Sequence, residues 1–237
     1  LCQFRNHLAT ELSAEAAPLC LLHGPNGAGK TSVLEAIHLL ATGVGIRSRR
    51  DQDFITFDHD GYRLDASFDT PFTCALRVRS GEEKEAYLDG RRLARWSELI
   101  GHVRATLLRP EDIRLIEEGP EYRRRFLDIM LCQSRPAYLA TLRQFRRAFK
   151  QRLQVFGNLA LSRSFSRLML EDMPRLFESR ATVVERLNSL ATTLLENLHI
   201  PGRLDLVYQP ALPRGTSSAD WNEAAAACLR ETERLEE

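Results

Sequence analysis

Three glycines, a lysine and two hydroxyl side chains fall within ten residues of this chain, HGPNGAGKTS at positions 23–32. A phosphate chain is what needs so much bare backbone beside one positive charge. Gly24, Pro25, Asn26, Gly27, Ala28, Gly29, Lys30 and Thr31 satisfy G-x-x-x-x-G-K-[ST] without a mismatch. Wrapping an anion with inward-pointing N–H groups takes conformations open mainly to glycine, and the helix that follows adds its positive end. Lys30 is then placed to reach the β- and γ-phosphates, and the Thr31 hydroxyl to coordinate a Mg²⁺ ion bridging them. The expected ligands are a nucleoside triphosphate and Mg²⁺.

Such a loop has to be held between a strand and a helix. APLCLL, residues 17–22, is a short apolar run and predicts the strand. TSVLEAIHLLA, residues 31–41, predicts the helix, with Val33, Leu34, Ile37, Leu40 and Ala41 on one face and Gly43 closing it. From Tyr62 the texture changes to the alternating runs YRLDASF, FTCALRVRS and EAYLDG, punctuated by Ser80-Gly81 and Asp89-Gly90, which predict antiparallel hairpins. VRATLL (103–108) predicts a further strand, and Pro110 a helix start. Beyond Gly119-Pro120 the pattern is helical. Tyr138, Leu142, Phe145, Phe149, Leu153 and Phe156 form one stripe, Pro174 interrupts, and a second amphipathic helix runs from Val183 to Leu198. RLDLVYQP (203–210) returns to strand character, and a last helix begins at Trp221.

Composition excludes little. The 33 basic and 32 acidic residues leave a net charge of +1, so a nucleic-acid surface would have to be a local patch. Candidate patches are Arg47, Arg49 and Arg50 just after the first helix, and Arg143, Arg146, Arg147 and Lys150 on the helix of the aromatic stripe. Each has an alternative as ordinary solvated charge. The five cysteines are odd in number and scattered, without metal-site spacing, and read as reduced thiols. No apolar run approaches the length of a membrane helix and no signal layout opens the chain, so a cytoplasmic protein with no membrane partner is expected. A start at Leu1 and a stop inside a charged helical run read as the ends of a fragment.

Antiparallel hairpins after a phosphate loop fit the ABC-type head of SMC-like proteins better than the repeated βα units of a small-molecule kinase. The words around them are more specific still. Phe4-Arg5-Asn6, GPNGAGKTSVLEAI, Ile46-Arg47-Ser48-Arg49 with Asp53-Phe54-Ile55, and above all LLRPEDIRLIEEGPEYRRRFLDIMLCQSRPAYLATLRQFRRAFKQR (107–152) resemble, in that order, the bacterial RecF family of recombination mediators. The residue before Pro110 departs from the pattern, since Arg109 stands where an apolar or small one is expected.

The resemblance implies an α/β fold: an ABC-type P-loop ATPase head, with a mixed sheet and antiparallel hairpins around the P-loop strand–helix unit, plus a mainly α-helical lobe. The expected division is 1–118 for the ATPase lobe, 119–202 for the helical lobe, and 203–237 leading toward a second half of the head. It also implies an ATP-dependent DNA-binding protein of recombinational repair, acting in gap repair, replication-fork maintenance and the SOS response. ATP would drive head-to-head homodimerisation on duplex DNA near single-strand gaps, with weak DNA-stimulated hydrolysis and recombination mediators as partners. No catalytic residue is assigned, because the family's signature segment and acidic Walker B strand are expected beyond Glu237. The alternatives are another SMC-like head or a P-loop kinase acting on a small metabolite.

Overall fold

Period-two alternation lays down a sheet whose one face is apolar. Tyr62, Leu64, Cys74, Leu76, Val78 and Ala86 all lie buried, while Arg63 and Asp65 point outward and pair with each other. The computed structural model describes residues 1–14, 19–69, 72–155, 158–213 and 216–236. It divides into two compact units, Leu1–Glu118 and Gly119–Glu237.

In the first unit, β1 (Cys2–Phe4), β2 (His7–Ala9), β3 (Gly61–Ser67), β4 (Thr73–Arg79), β5 (Glu85–Leu88) and β6 (Arg91–Arg92) form one antiparallel sheet in the order β2-β1-β3-β4-β5-β6. The predicted hairpins are present. Asp89 and Gly90 both take positive φ, 49° and 74°, the pair of conformations that a tight two-residue hairpin turn requires. Helix α1 (Lys30–Thr42) lays Ala36, Leu39 and Leu40 into the core with Phe4, Phe54, Tyr62 and Leu76. Gly43 caps it at φ 69°, donating to the Leu39 carbonyl at 2.8 Å, and a side chain there would collide with the Trp96 ring.

Three predictions for this unit are corrected. Leu19–Leu22 belong to no strand, and Leu19 and Leu21 are 84% and 80% exposed; Ala17 and Pro18 lie outside the described residues. An apolar run becomes a strand only where a neighbour completes its ladder, and none of the described strands pairs with it. VRATLL likewise forms only an isolated bridge, Ile100 to Val103. The buried face of α1 keeps Val33, Leu40 and Ala41 as predicted but leaves Leu34 and Ile37 at the surface and adds Ala36, Leu39 and Glu35.

Pro110 does begin a helical stretch, a 3-10 turn running into α2 (Arg114–Glu117). The unexpected Arg109 is accommodated because the Asp112 carboxylate accepts from both its backbone N–H and its guanidinium, each at 2.8 Å.

The second unit is helical: α3 (Pro120–Ser134), α4 (Pro136–Gln154), α5 (Leu159–Asn197) and α6 (Trp221–Glu236). Leu131, Tyr138, Leu142 and Leu176 form its core, and Phe177, Tyr208 and Trp221 a second aromatic cluster. Pro174 does not interrupt. α5 passes straight through it, with Met169 buried before it and Leu176 and Phe177 after it, so packing on both sides outweighs a proline penalty of about 3 kcal/mol. The α4 stripe holds as far as Phe145, after which Ala148 and Arg152 turn inward and Phe149 and Leu153 outward; Phe156 lies outside the described residues. Arg152 is tolerated inside because its Nε donates to Ser166 Oγ at 3.0 Å. Residues 203–210 form no strand. The Asn188 side chain takes the place of a ladder neighbour, its amide donating to the Leu206 carbonyl at 2.5 Å and its oxygen accepting from the Leu206 N–H at 2.6 Å.

Candidate functional site

The glycine loop adopts the conformations its composition allows. Gly24, Gly27 and Gly29 have φ of 147°, 83° and 92°, values that side chains other than hydrogen rarely permit. The loop is exposed, and a Cβ added at Gly27 would meet nothing within 4 Å, so open space lies over its centre. Gly29 is the left-handed N-cap of α1, whose first N–H groups face outward beside it. Lys30 folds back along the loop, its Nζ donating to the Gly24 and Pro25 carbonyls at 2.8 Å each. Two oxygen acceptors thus sit on the ammonium at the mouth of the loop. Thr31 follows, exposed in the first turn. Lysine, threonine hydroxyl and glycine-shaped backbone are the donor set that a Mg²⁺-bound triphosphate requires, so the residues fit that group.

What holds the loop was not assigned from sequence. The connection between β1 and β2 clasps it: Asn6 Nδ2 donates to the Gly27 carbonyl at 2.9 Å, and Asn6 Oδ1 accepts from Ser32 Oγ at 3.1 Å. His7 Nε2 meets the Gly29 carbonyl at 3.1 Å. A carbonyl only accepts, so Nε2 carries a proton there, and Nδ1 lies within hydrogen-bond distance of the Thr10 hydroxyl at 2.9 Å. Both side chains lie where a Cβ at Gly29 would be, which makes that glycine necessary twice over. Arg5, between them and Phe4, sits at φ 56° in a position where glycine is usual. Phe4-Arg5-Asn6 was visible as a family-like word, but its contact with a loop some twenty residues away carries no local signal.

Arg47, Arg49 and Arg50 are all exposed on the segment after α1. In the second unit Arg143, Arg146, Arg147 and Lys150 are exposed along α4, but they are not equivalent. Arg146 donates to the buried Asp128 at 2.9 Å. Asp128 also accepts from Tyr138 Oη at 2.5 Å and from Arg180 Nη2 at 2.7 Å, forming a network inside the helical unit. Burial opposes the Arg180 charge, yet the adjoining Asp128 carboxylate more than reverses this and raises its pKa. Burial also pushes the Tyr138 hydroxyl upward. Burial, reinforced by nearby carboxylates, raises the Cys74 and Cys132 thiols to about 11, so these thiols stay protonated, and all five cysteines are unpaired.

Among the described residues no group of three or more His, Cys, Asp or Glu side chains could hold a metal ion, and no helix is long and apolar enough to cross a membrane. These features define an ABC-type P-loop ATPase head. Residues 1–194 match the AAA domain family AAA_23, and the chain belongs to that family. Curated proteins similar to it include DNA replication and repair proteins RecF. That of Synechococcus sp. (strain JA-3-3Ab) is 32% identical over 233 residues, covering 93% of this chain and 61% of the relative. That of Salinibacter ruber is 35% identical over 156 residues, 64% of this chain and 38% of the relative. The chain therefore spans less than two thirds of each of these relatives. A solved structure of the recombination mediator protein RecF-ATPrS in the RecFOR pathway superposes with a TM-score of 0.86 at 23% identity, covering 99% of this chain and 66% of that one. The fold is the RecF fold.

Proposed function

We propose that this chain is the ATP-binding part of a RecF-like DNA-repair ATPase. The observation that carries this reading is the glycine loop itself: positive-φ glycines over open space, a helix start, and a lysine whose ammonium already holds two oxygen acceptors. Gly24 to Thr31 supply the phosphate cradle. Lys30 exchanges its loop carbonyls for β- and γ-phosphate oxygens, and Thr31 Oγ1 provides a ligand for Mg²⁺. Bound ATP with Mg²⁺ supplies a hydrolysable γ-phosphoryl group and, through its phosphates, an anionic surface that a second head can read. Asn6 and His7 hold the Gly27 and Gly29 carbonyls and so fix the loop in place.

Further elements of the same proposal extend the resemblance read from the sequence. ATP joins two copies head to head, and the pair holds duplex DNA near a single-strand gap, with recombination mediators as partners, during gap repair, fork maintenance and the SOS response in the cytoplasm. Arg47, Arg49 and Arg50, with Arg143, Arg147 and Lys150, are the phosphate-facing candidates. Such contacts give affinity without sequence preference. We assign 1–118 to the ATPase lobe, 119–202 to the helical lobe and 203–237 to the approach to the second half of the head.

Equilibrium titration with labelled ATP and Mg²⁺ tests the site. Lys30→Ala should weaken binding about 10- to 100-fold, the equivalent of the roughly 1.5–3 kcal/mol carried by hydrogen bonds to a charged group. Equal affinities would remove the assigned site.

A further inference from the structure

Glu35 is the anomaly of α1. It is 1% exposed, on the face that also carries Ala36 and Leu39, where an aliphatic side chain would be expected. A carboxylate is costly in such a place unless paired and hydrogen-bonded, and an apolar residue of similar volume often serves stability as well or better. Its partners explain its presence. Oε2 accepts from Arg5 Nε at 2.9 Å. Oε1 accepts from the backbone N–H groups of Ile46 and Arg47, at 3.1 and 3.0 Å.

One side chain of the phosphate-loop helix thus grips two segments at once. On one side is Arg5, the left-handed residue beside Asn6, whose amide holds the Gly27 carbonyl and the Ser32 hydroxyl. On the other is the start of the segment that displays Arg47, Arg49 and Arg50. That segment is held by further bonds. Ser48 Oγ donates to Asp53 and accepts from the Arg50 N–H, while Arg5 Nη1 donates to the Asp53 carbonyl at 2.8 Å. Its far end is fixed by Asp51, which pairs with Lys84 at 2.7 Å, and Lys84 also donates to the Gly43 carbonyl at the end of α1. The guanidinium of Arg5 lies over the Phe54 ring, with its Nη2 buried and unpartnered among the described residues. The segment is braced at both ends, and Glu35 is where it meets the helix and clasp of the phosphate loop.

We propose that Glu35 is a positioning residue that couples the state of the 24–31 loop to the backbone beneath Arg47, Arg49 and Arg50. The inference rests on the reading that this loop takes a nucleoside triphosphate. When phosphate oxygens replace the carbonyls on Lys30, the loop carbonyl that Asn6 holds shifts, Arg5 follows as its neighbour, and the shared carboxylate passes the displacement to the Ile46 and Arg47 amides.

The test compares the wild type at its full natural length with Glu35→Gln, which leaves an oxygen for the two amides but replaces the charge facing Arg5, and with Arg5→Lys, which keeps the charge but loses the forked donor. Hydrogen exchange at Ile46 and Arg47 is followed with and without ATP and Mg²⁺, alongside ATP affinity, melting temperature and DNA affinity in the same preparations. Wild type should gain at least threefold protection at these amides on binding ATP. Glu35→Gln should bind ATP within threefold of wild type and melt as a folded protein, yet lose that response and at least half of any ATP-dependent gain in DNA affinity. Arg5→Lys should also lose the response, and it decides the matter if Glu35→Gln does not fold. Wild type that binds ATP without any change at Ile46 and Arg47, or variants that keep the full response, would overturn the coupling. Wild type that binds no ATP would instead sink the nucleotide reading, and the coupling with it.

Discussion

Two buried carboxylates, one in each unit, solve the same problem in opposite ways. Asp128 is satisfied entirely by side chains: Tyr138 and Arg146 from α4 and Arg180 from α5. Glu35 has one charged partner, and its other oxygen goes to backbone amides of the Arg47 segment. The first arrangement fastens three helices to one another. The second fastens a helix to a segment that displays charge, which suits a part that has to be placed rather than merely packed. Burial of a charge therefore says little until its partners are named.

The strongest test of this contrast is Asp128→Ala, which leaves Arg180 charged and buried. Urea unfolding should show a loss of about 3–5 kcal/mol, whereas Asp128→Leu with Arg180→Met should recover most of it. If the double substitution is no better than the single one, the network does more than hold the helices together.

Smaller effects separate the arginines of α4. Arg146→Glu sets a second negative charge beside Asp128 and should cost about 1 kcal/mol, the upper range for a pair whose arginine is largely exposed, while Arg147→Glu should leave stability within about 0.5 kcal/mol. The proposed DNA role then rests on Arg147: its reversal should lower DNA affinity and reduce the salt slope by about one. An unchanged slope would retire α4 as a DNA-facing element.

The smallest effect concerns Asp172, a buried carboxyl on α5 whose Oδ2 is without a partner among the described residues. Burial raises its pKa, opposed by Arg175 and reinforced by Glu171. A raised folded pKa means that its stabilising contribution is present below the ordinary carboxylate range and is lost as pH rises through the raised value. Asp172→Asn should therefore stabilise the protein by about 0.5–1 kcal/mol at neutral pH, and the advantage should vanish near pH 4 or below. An advantage that persisted in acid would point to a packing cause instead.

Much of the fold was legible because its signals are local. The loop from Gly24 to Thr31, the helix after it, the cap at Gly43 and the Asp89-Gly90 turn each depend on backbone conformations that a few adjacent residue types specify. Predictions failed where the deciding partner was distant. Leu19–Leu22 had the composition of a strand but no described ladder neighbour, Leu206 within 203–210 paired with the Asn188 side chain instead of a strand, and Pro174 was carried through by packing on α5. In the site, Gly27 and Lys30 could be read directly, whereas Asn6, His7 and Glu35 could not, since nothing in a polar residue's neighbours along the chain shows what it will touch across the fold.

The residue order by itself determined the positive-φ glycine loop, the hairpin sheet and the helical second unit, because glycine, turn and periodicity rules act within a few residues. Only the tertiary structure decided which charges are structural and which are displayed. Arg146 and Arg147 are neighbours on one helix, and the buried carboxylate that claims the first lies on another. A side chain's charge is fixed by its chemistry, but its use is fixed by what the fold brings within about 3 Å of it.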